Sequence, residues 1–374
     1  TLMNEGLNEQ GPLPQVYQHP CLAKSWEVSQ DGRVFVFPLK EGVKFHDGKN
    51  FTSEDVKYSF DRVMDPETRS PRAFALRWVD SVNMVDKYTI KVTLKEPYAP
   101  FLSNLTPECV PIIPKDARPT GMKPAPGTGP FVFKEFVPNE TIELTRFDKY
   151  HQIDEKTGAR LPHADAVFIR KIVDETVRLT ALRAGDMDFI ETPPLNLIAN
   201  ELKKPTPGIT INYDLPGNNM VFFNVTKPPF DNKKVRHAIA YATDKQELLK
   251  GGLWGLGQTL NNQPFPSNSR FYIPVEDREH NITKAKALLA EAGYPKGFKV
   301  ELLEYSDTPV LSCCQVFLEQ LRRAGIEATI KVVDRAPYFK ALRTGDYSIT
   351  WGTVSERLDW DDAYFLYFHS SEIN

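Results

Sequence analysis

Hydrophobic and polar positions divide the chain into recognisable elements. Val34-Phe35-Val36-Phe37 is a short apolar, β-prone run, and Phe45-His46-Asp47-Gly48 reads as a turn after it. Thr52 then opens a helix. Its hydroxyl can satisfy the first free N–H groups, and Glu54 and Asp55 oppose the dipole in the first turn. Val56, Phe60 and Val63 recur at i, i+4 and i+7, which puts one helix face in a core, and Asp65-Pro66 ends the helix. From Tyr88 to Leu94, Ile90, Val92 and Leu94 alternate with Lys91 and Thr93, the signature of a half-buried strand. Prolines 107, 111, 114, 119, 124, 126 and 130 make residues 106–130 a long ordered connection. A hairpin follows, with arms over 131–136 and 141–147 turned at Pro138-Asn139. A strand over 166–173, a helix near 174–184 and a strand near 187–190 complete the first part.

The pattern changes from residue 220. A buried strand over 220–225 leads to Pro228-Pro229, and a helix over 232–242 carries Val235, Ala238, Ile239 and Ala242 on one face. Asp244 caps a shorter helix, and a helix over 283–292 stops at Gly293. Strand (298–305), helix (310–324), strand (327–334), helix (337–343) and strand (347–352) then alternate. That order implies parallel pairing with right-handed crossovers, hence an α/β fold. The stripe Val310, Cys313/Cys314, Phe317 and Leu321 reads as core packing rather than a cofactor box.

Composition narrows the function classes. The 374 residues carry 46 basic and 49 acidic side chains, so there is no basic footprint for nucleic acid. No run approaches the roughly 18 apolar residues of a membrane helix. Thirty prolines against 21 glycines favour long, locked connections. The four cysteines, Cys21, Cys109, Cys313 and Cys314, form no CxxC pair. They read as buried small hydrophobes, with a Cys21–Cys109 bridge in an oxidising compartment left open. The first residues show neither an initiator Met nor a signal peptide, and no terminal element closes the chain, so a fragment or processed chain is expected.

Candidate chemistry is sparse. No HExxH, GxxxxGK[ST], GxSxG or post-strand GxGxxG occurs, and Gly252-Leu253-Trp254-Gly255-Leu256-Gly257 does not match a phosphate cradle. His19, His46, His151, His163, His237, His280 and His369 include no i, i+4 pair, so no metal and no cofactor is expected. Aromatic residues are abundant, at 23 Phe, 14 Tyr and 5 Trp, and a surplus near loops can line a binding cleft. Trp351 ends the last parallel strand, where open α/β sheets take their ligands. The charged and aromatic stretch from Ser355 to Asp362 is the candidate binding wall, or else a solvated turn.

Several segments together resemble the family 5 extracellular solute-binding proteins of ABC importers, which include dipeptide, oligopeptide and nickel-complex binders. They are Leu22-Ala23-Lys24-Ser25-Trp26 with Asp31-Gly32, Leu39 to Gly48, Phe51 to Val56 and Gly127-Thr128-Gly129-Pro130-Phe131. Further on come Asp174-Glu175-Thr176, Leu182 to Asp188, Phe223-Asn224 with Pro228 to Asp231, Val235 to Ala242 and Gly345-Asp346-Tyr347. The resemblance implies a type II periplasmic-binding-protein-like α/β fold, apparently truncated at both ends. Two lobes joined by a hinge are expected: a first lobe over 1–225, with an extra subdomain over about 26–126, and an incomplete second lobe over 226–374. The hinge is expected at Phe223, Asn224 and Asp361.

In peptide-binding relatives an Asp after the last strand pairs with the ligand's amino terminus. Counted without gaps, that position falls here on Arg357, preceded by Glu356. Either Glu356 takes the amine through a one-residue shift, or Arg357 pairs with an anionic group. Trp351, Arg335, Asn219 and Glu5 complete the candidate ligand set. The expected role is a monomeric, non-catalytic binding component that delivers a small solute, a peptide first, to ABC permease subunits. The expected location is periplasmic or extracellular, with or without a lipid anchor. A metal chelate, glycoside or anionic metabolite is the alternative cargo, and a hydrolase using Asp361 or Glu356 the alternative class.

Overall fold

A computed structural model describes residues 3–8, 15–70, 72–105, 110–118, 124–191, 193–211, 217–260, 262–263, 265, 272–275, 278–305 and 311–355. The chain divides into two compact units, Thr1–Ile172 and Val173–Asn374.

The first unit contains β1 (Met3–Asn8), β2 (Gln15–Pro20), β3 (Glu27–Val28), β4 (Val34–Pro38), α1 (Ser53–Met64), β5 (Val79–Asp86), β6 (Thr89–Leu94), β7 (Phe131–Val137), β8 (Thr141–Arg146) and β9 (Ala166–Arg170). β1 and β2 form an antiparallel ribbon, β3-β4-β6-β5 a four-stranded antiparallel sheet, and β7-β8-β9 a three-stranded one. The four-stranded sheet and α1 share a core whose largest members, Phe37, Phe45, Phe51, Phe60 and Phe101, are fully enclosed. α1 arises where the periodicity places it. Val56, Phe60 and Val63 are buried, and Thr52 and Asp55 form a reciprocal capping box in which the Thr52 N–H donates to Asp55 Oδ2 at 2.8 Å. The other Asp55 oxygen accepts the Lys115 N–H at 2.9 Å, so one carboxylate fixes both the helix start and the proline-rich stretch. The turn at His46 is tied to the glycine-rich element. The His46 N–H donates to the Gly127 carbonyl at 2.8 Å, and its ring Nε2 lies 3.0 Å from the Gly129 carbonyl.

The second unit contains α2 (Glu175–Ala184), α3 (Leu195–Lys203), β10 (Gly217–Phe223), α4 (Lys233–Ala242), α5 (Lys245–Gly252), α6 (Ile282–Glu291), β11 (Lys299–Tyr305), α7 (Leu311–Arg323), β12 (Glu327–Val333), α8 (Arg335–Thr344) and β13 (Ile349–Ser355). Its sheet runs β10-β13-β11-β12. β11 is parallel to both β12 and β13, and β10 is antiparallel to β13. The alternation read from residue 298 onward is therefore a parallel β11/β12/β13 set, as expected. Val235, Ala238 and Ile239 of α4, Leu289 of α6 and Cys313, Cys314, Phe317 and Leu321 of α7 pack on Leu302, Ile349 and Trp351 from one face. Tyr338 of α8 closes the other, its hydroxyl 3.0 Å from Thr350 Oγ1 and donating to the Trp351 carbonyl at 3.1 Å. α5 is clamped to α7 by Arg323, whose two terminal nitrogens donate to the two Glu247 oxygens at 2.9 Å each.

Several expected boundaries shift by a few residues; the strand expected over 347–352 forms over Ile349–Ser355, so Trp351 lies inside it and not at its end, and the strand expected over 166–173 stops at Arg170. Three further differences have a local cause. No strand occurs over 187–190: Gly185 ends α2 in the left-handed region, Phe189 is 77% exposed, and no strand among the described residues offers this segment a hydrogen-bonded partner. The strand expected over 220–225 starts at Gly217 and ends at Phe223; past it the Asn224 side chain turns to the Gly345 and Tyr347 carbonyls and Val225 is exposed. α8 begins at Arg335 rather than Pro337. A proline in the first helical turn sacrifices no bond, so it marks the beginning only loosely. Cys313 and Cys314 are enclosed, as read from the stripe. Cys21 is buried with a free thiol, and Cys109 lies outside the described residues. No helix among the described residues is long and apolar enough to cross a membrane.

Candidate functional site

The carboxyl ends of parallel strands are where α/β sheets present ligand-binding groups. In the second unit these are Tyr305, closing β11, and the Val333–Asp334 junction, from which α8 starts. Arg335, the first residue of α8, lies with its guanidinium carbon 5.5 Å from the centre of the Tyr305 ring. Phe339, one helical turn on, stacks on the same ring with centroids 6.4 Å apart and planes at 30°. Phe339 is 41% exposed, Tyr305 half-buried and Arg335 exposed. The buried ring of Tyr338 packs between them and the sheet, 5.0 Å from Tyr305 and 5.2 Å from Phe339.

Trp351 is 5% exposed, on the opposite face of the sheet, and its ring meets Phe317 edge-on at 5.6 Å. Its indole N–H has no hydrogen-bond partner among the described residues. Asn219 is exposed on β10, opposite Thr353 of β13. Glu5 sits in β1 opposite Gln18, in the first unit. Glu356, Arg357 and Asp361 lie outside the described residues.

Phe223 and Asn224 stand where β10 leaves the sheet. The Phe223 ring packs on Phe230 at 5.1 Å. Asn224 is buried and fully used: its Nδ2 donates to the carbonyls of Gly345 at 2.9 Å and Tyr347 at 3.1 Å, and its Oδ1 accepts from the N–H and hydroxyl of Thr226 at 3.1 and 2.7 Å. One side chain thus joins the end of β10 to the loop between α8 and β13. Asn224→Ala takes both donors away from the Gly345 and Tyr347 carbonyls and is expected to destabilise the protein by about 2 kcal/mol, while Asn224→Asp, which sets a buried carboxylate oxygen against those two carbonyls, costs at least as much. Urea titrations of the three proteins measure this. An Ala midpoint equal to that of the native protein would contradict the clamp.

Two further groups escaped the sequence reading. Glu304 is fully enclosed on β11. Burial pushes its carboxyl up to about 7, against the opposing pull of the Tyr305 N–H, which donates to it at 3.0 Å, and of the Cys314 thiol 3.8 Å away. The same burial raises the Cys313 thiol to about 11 and the Cys314 thiol further, so both are inert at neutral pH. In the first unit, burial followed by the Lys40 charge lowers His151 to about 4, and neither ring nitrogen has a partner among the described residues. No group of three metal-ligating side chains occurs among the described residues.

Comparison with known proteins places this geometry. The glutathione-binding protein GsiB of Pectobacterium atrosepticum is 31% identical over 319 residues, covering 84% of this chain and 60% of that protein. Heme-binding protein A of Haemophilus influenzae is 31% identical over 360 residues, covering 87% of this chain and 64% of that protein. The chain therefore spans less than two thirds of the length of these relatives. Among solved structures, the ABC transporter-associated periplasmic binding protein DppA of Helicobacter pylori, in complex with the peptide STSA, superposes with a TM-score of 0.85 at 28% identity, covering 98% of this chain and 74% of that one. The α/β architecture is accordingly of the type II periplasmic-binding-protein class. The profile of the bacterial extracellular solute-binding proteins, family 5 (middle), matches residues 18–374, and the chain belongs to that family.

Proposed function

We propose that the chain is the solute-binding component of an ABC importer, which captures a small solute, a peptide first among the candidates, and hands it to membrane permease subunits without chemical change. The observation that carries this reading is the family match over residues 18–374, together with a peptide-bound relative that superposes along almost the whole chain. Affinity in such a protein comes from burying apolar and aromatic surface, with a few charged groups fixing the ends of the ligand. Enclosure strengthens those charged pairs by excluding water. A two-lobe arrangement suits this task, with lobes over 1–225 and 226–374 hinged at Phe223, Asn224 and Asp361. The site of action is outside the cytoplasmic membrane, in the periplasm or on a lipid anchor, and the working unit is a monomer. Trp351, Glu356, Arg357, Arg335, Asn219 and Glu5 remain the ligand candidates, with Arg335 supported by its place at the carboxyl ends of β11 and β12.

A second cargo class is favoured by Arg357, which a gapless count sets against the amine-binding Asp of the peptide-binding proteins that the chain resembles. An anionic solute suits a cation there better than a peptide amino terminus does. A thermal-shift screen against di- to pentapeptides and anionic metabolites decides between them. A true cargo at about 100 times its Kd adds about 2.7 kcal/mol and raises the melting temperature. Stabilisation by peptides supports the first reading and by anions alone the second. No stabilisation by either class would remove both of these cargoes and leave a metal chelate or a glycoside.

A further inference from the structure

We infer that Glu304 is a proton-controlled latch at the carboxyl end of the second unit's sheet: protonated, it ties the end of β11 to α7, and ionised, it releases them. The inference goes beyond the solute-binding reading and does not depend on it.

A glutamate side chain is almost never fully buried without a charged partner, and Glu304 is fully buried. It is the penultimate residue of β11, and both of its oxygens are engaged. Oε1 accepts the N–H of Tyr305, the last residue of the strand, at 3.0 Å, and Oε2 lies 3.8 Å from the Cys314 thiol in the first turn of α7. One side chain therefore joins the strand end to the start of the helix that covers it. Three elements flank the carboxyl. α7 brings Cys314, with Cys313 next to it, and burial keeps both thiols protonated at neutral pH. β12 brings Val332, the register partner of Glu304. β13 brings Trp351: Leu302 pairs with Ile349, so two residues further on Glu304 and Trp351 stand side by side on the same face of the sheet. No cation and no second carboxyl acts on Glu304 among the described residues.

These surroundings suit the neutral acid and penalise the carboxylate, which needs water or a cation. Water is close. β12 is the outermost strand, so Glu304 lies one strand in from the sheet edge, and Val332 keeps 48% of its surface in solvent. A carboxylate that turns toward that edge leaves Tyr305 and Cys314 together, and the tie between β11 and α7 is lost. Burial holds the enclosed acid near 7 against 4.5 for an exposed one. The closed arrangement is thus fully favoured below the lower value, loses ground as pH rises between the two, and levels off above the higher. The carboxyl ends of parallel strands are also where α/β sheets take ligands, so the latch sits where loosening alters binding most.

Amide hydrogen exchange of the full chain, native and Glu304→Gln, at pH 5.5 and pH 8 tests the latch. It is read at Tyr305 and at Gln315 to Phe317, with α4 as the reference. Intrinsic exchange changes with pH equally in both proteins, so the native-to-variant ratio isolates opening. That ratio is expected to rise by about 30-fold from pH 5.5 to pH 8 at Tyr305 and the start of α7, and by less than about twofold in α4. A second reading needs no variant: in the native chain, opening at the start of α7 relative to α4 should grow by the same factor. A ratio that stays flat with pH would overturn the latch. So would an equal rise in α4, because Glu304 would then act only on unfolding of the unit as a whole. No cargo enters the measurement, so a negative result leaves the transport reading intact, and a silent cargo screen leaves the latch intact.

Discussion

Gly297→Ala is expected to cost the protein more than 4 kcal/mol, the largest loss from any single methyl group among the described glycines, and to leave the second unit unfolded or protease-sensitive at 37 °C. Gly297 precedes β11 and has φ +73°, a region that side chains other than glycine rarely adopt. Strain alone would cost about 1 kcal/mol. The larger part is a collision: a Cβ at this position would lie 1.7 Å from the Gly325 carbonyl oxygen and 2.6 Å from its carbon. Those are backbone atoms of the turn between α7 and β12, so no side-chain rotation relieves the overlap. Retreat is also blocked, because the adjacent Glu327 N–H donates to the Phe298 carbonyl at 2.9 Å and starts the β11/β12 ladder. Relief therefore means pulling the two parallel strands apart at their amino ends.

Gly293 provides the control. Its φ is +90°, yet nothing lies within 4 Å of the position its Cβ would take. Gly293→Ala should therefore cost only the conformational term, about 1 kcal/mol. Thermal melts and limited proteolysis of the two variants separate strain from collision. Equal melting temperatures for both would remove the close approach from the account.

That close approach marks the limit of what the residues disclose by themselves. Gly293, Gly325 and the end of α8 at Gly345 are legible as helix stops, because a left-handed terminal residue is a local requirement. The α4 and α7 stripes are legible because burial repeats with the helical period. That Gly297 must be glycine is not legible, since the reason sits 28 residues further along the chain. β5 escaped for a similar reason. Only Val79 and Val82 of its eight residues are buried and bulges interrupt its pairing, so the alternation that identifies a strand is absent.

The candidate site divides in the same way. Asn224 is legible because it stands in the Phe223-Asn224 motif, and Trp351 because it belongs to the last parallel strand. Tyr305 and Phe339 were not, because their joint position depends on the register of β11 against β12. A better placement of the α8 start would have put Arg335 and Phe339 one turn apart on one helix face.

The second large effect concerns Glu304 and has the opposite sign: Glu304→Gln is expected to stabilise the protein by up to about 3 kcal/mol at pH 8 and by almost nothing at pH 4. The carboxyl is enclosed on β11, and its resolved contacts are the Tyr305 N–H and the Cys314 thiol, neither of which is a cation. Burial raises its pKa from 4.5 to about 7 in the folded chain. The folded state therefore holds a proton that the unfolded state has already released between those two values. Stability from this group falls as pH rises through that window, and above it the chain carries a buried charge with no cation beside it among the described residues. A neutral amide of the same shape carries none. Below the unfolded pKa both states are protonated and the two side chains become equivalent.

Carboxylates held low act outside this window. Arg323 and Gln320 on Glu247, Thr206 and Arg183 on Glu201, and the hydrogen bonds from Ser29 and Arg33 on Asp31 add stability that is lost only as pH falls through the acid range. The difference between native and Glu304→Gln denaturation midpoints, taken from pH 4 to pH 8, isolates Glu304 from them. A difference that stays flat with pH would mean that the carboxyl is ionised throughout and meets a cation or water. A difference that grows across the window and levels off near pH 8 identifies an acid kept neutral by its surroundings, at the carboxyl end of the strand that also carries Tyr305.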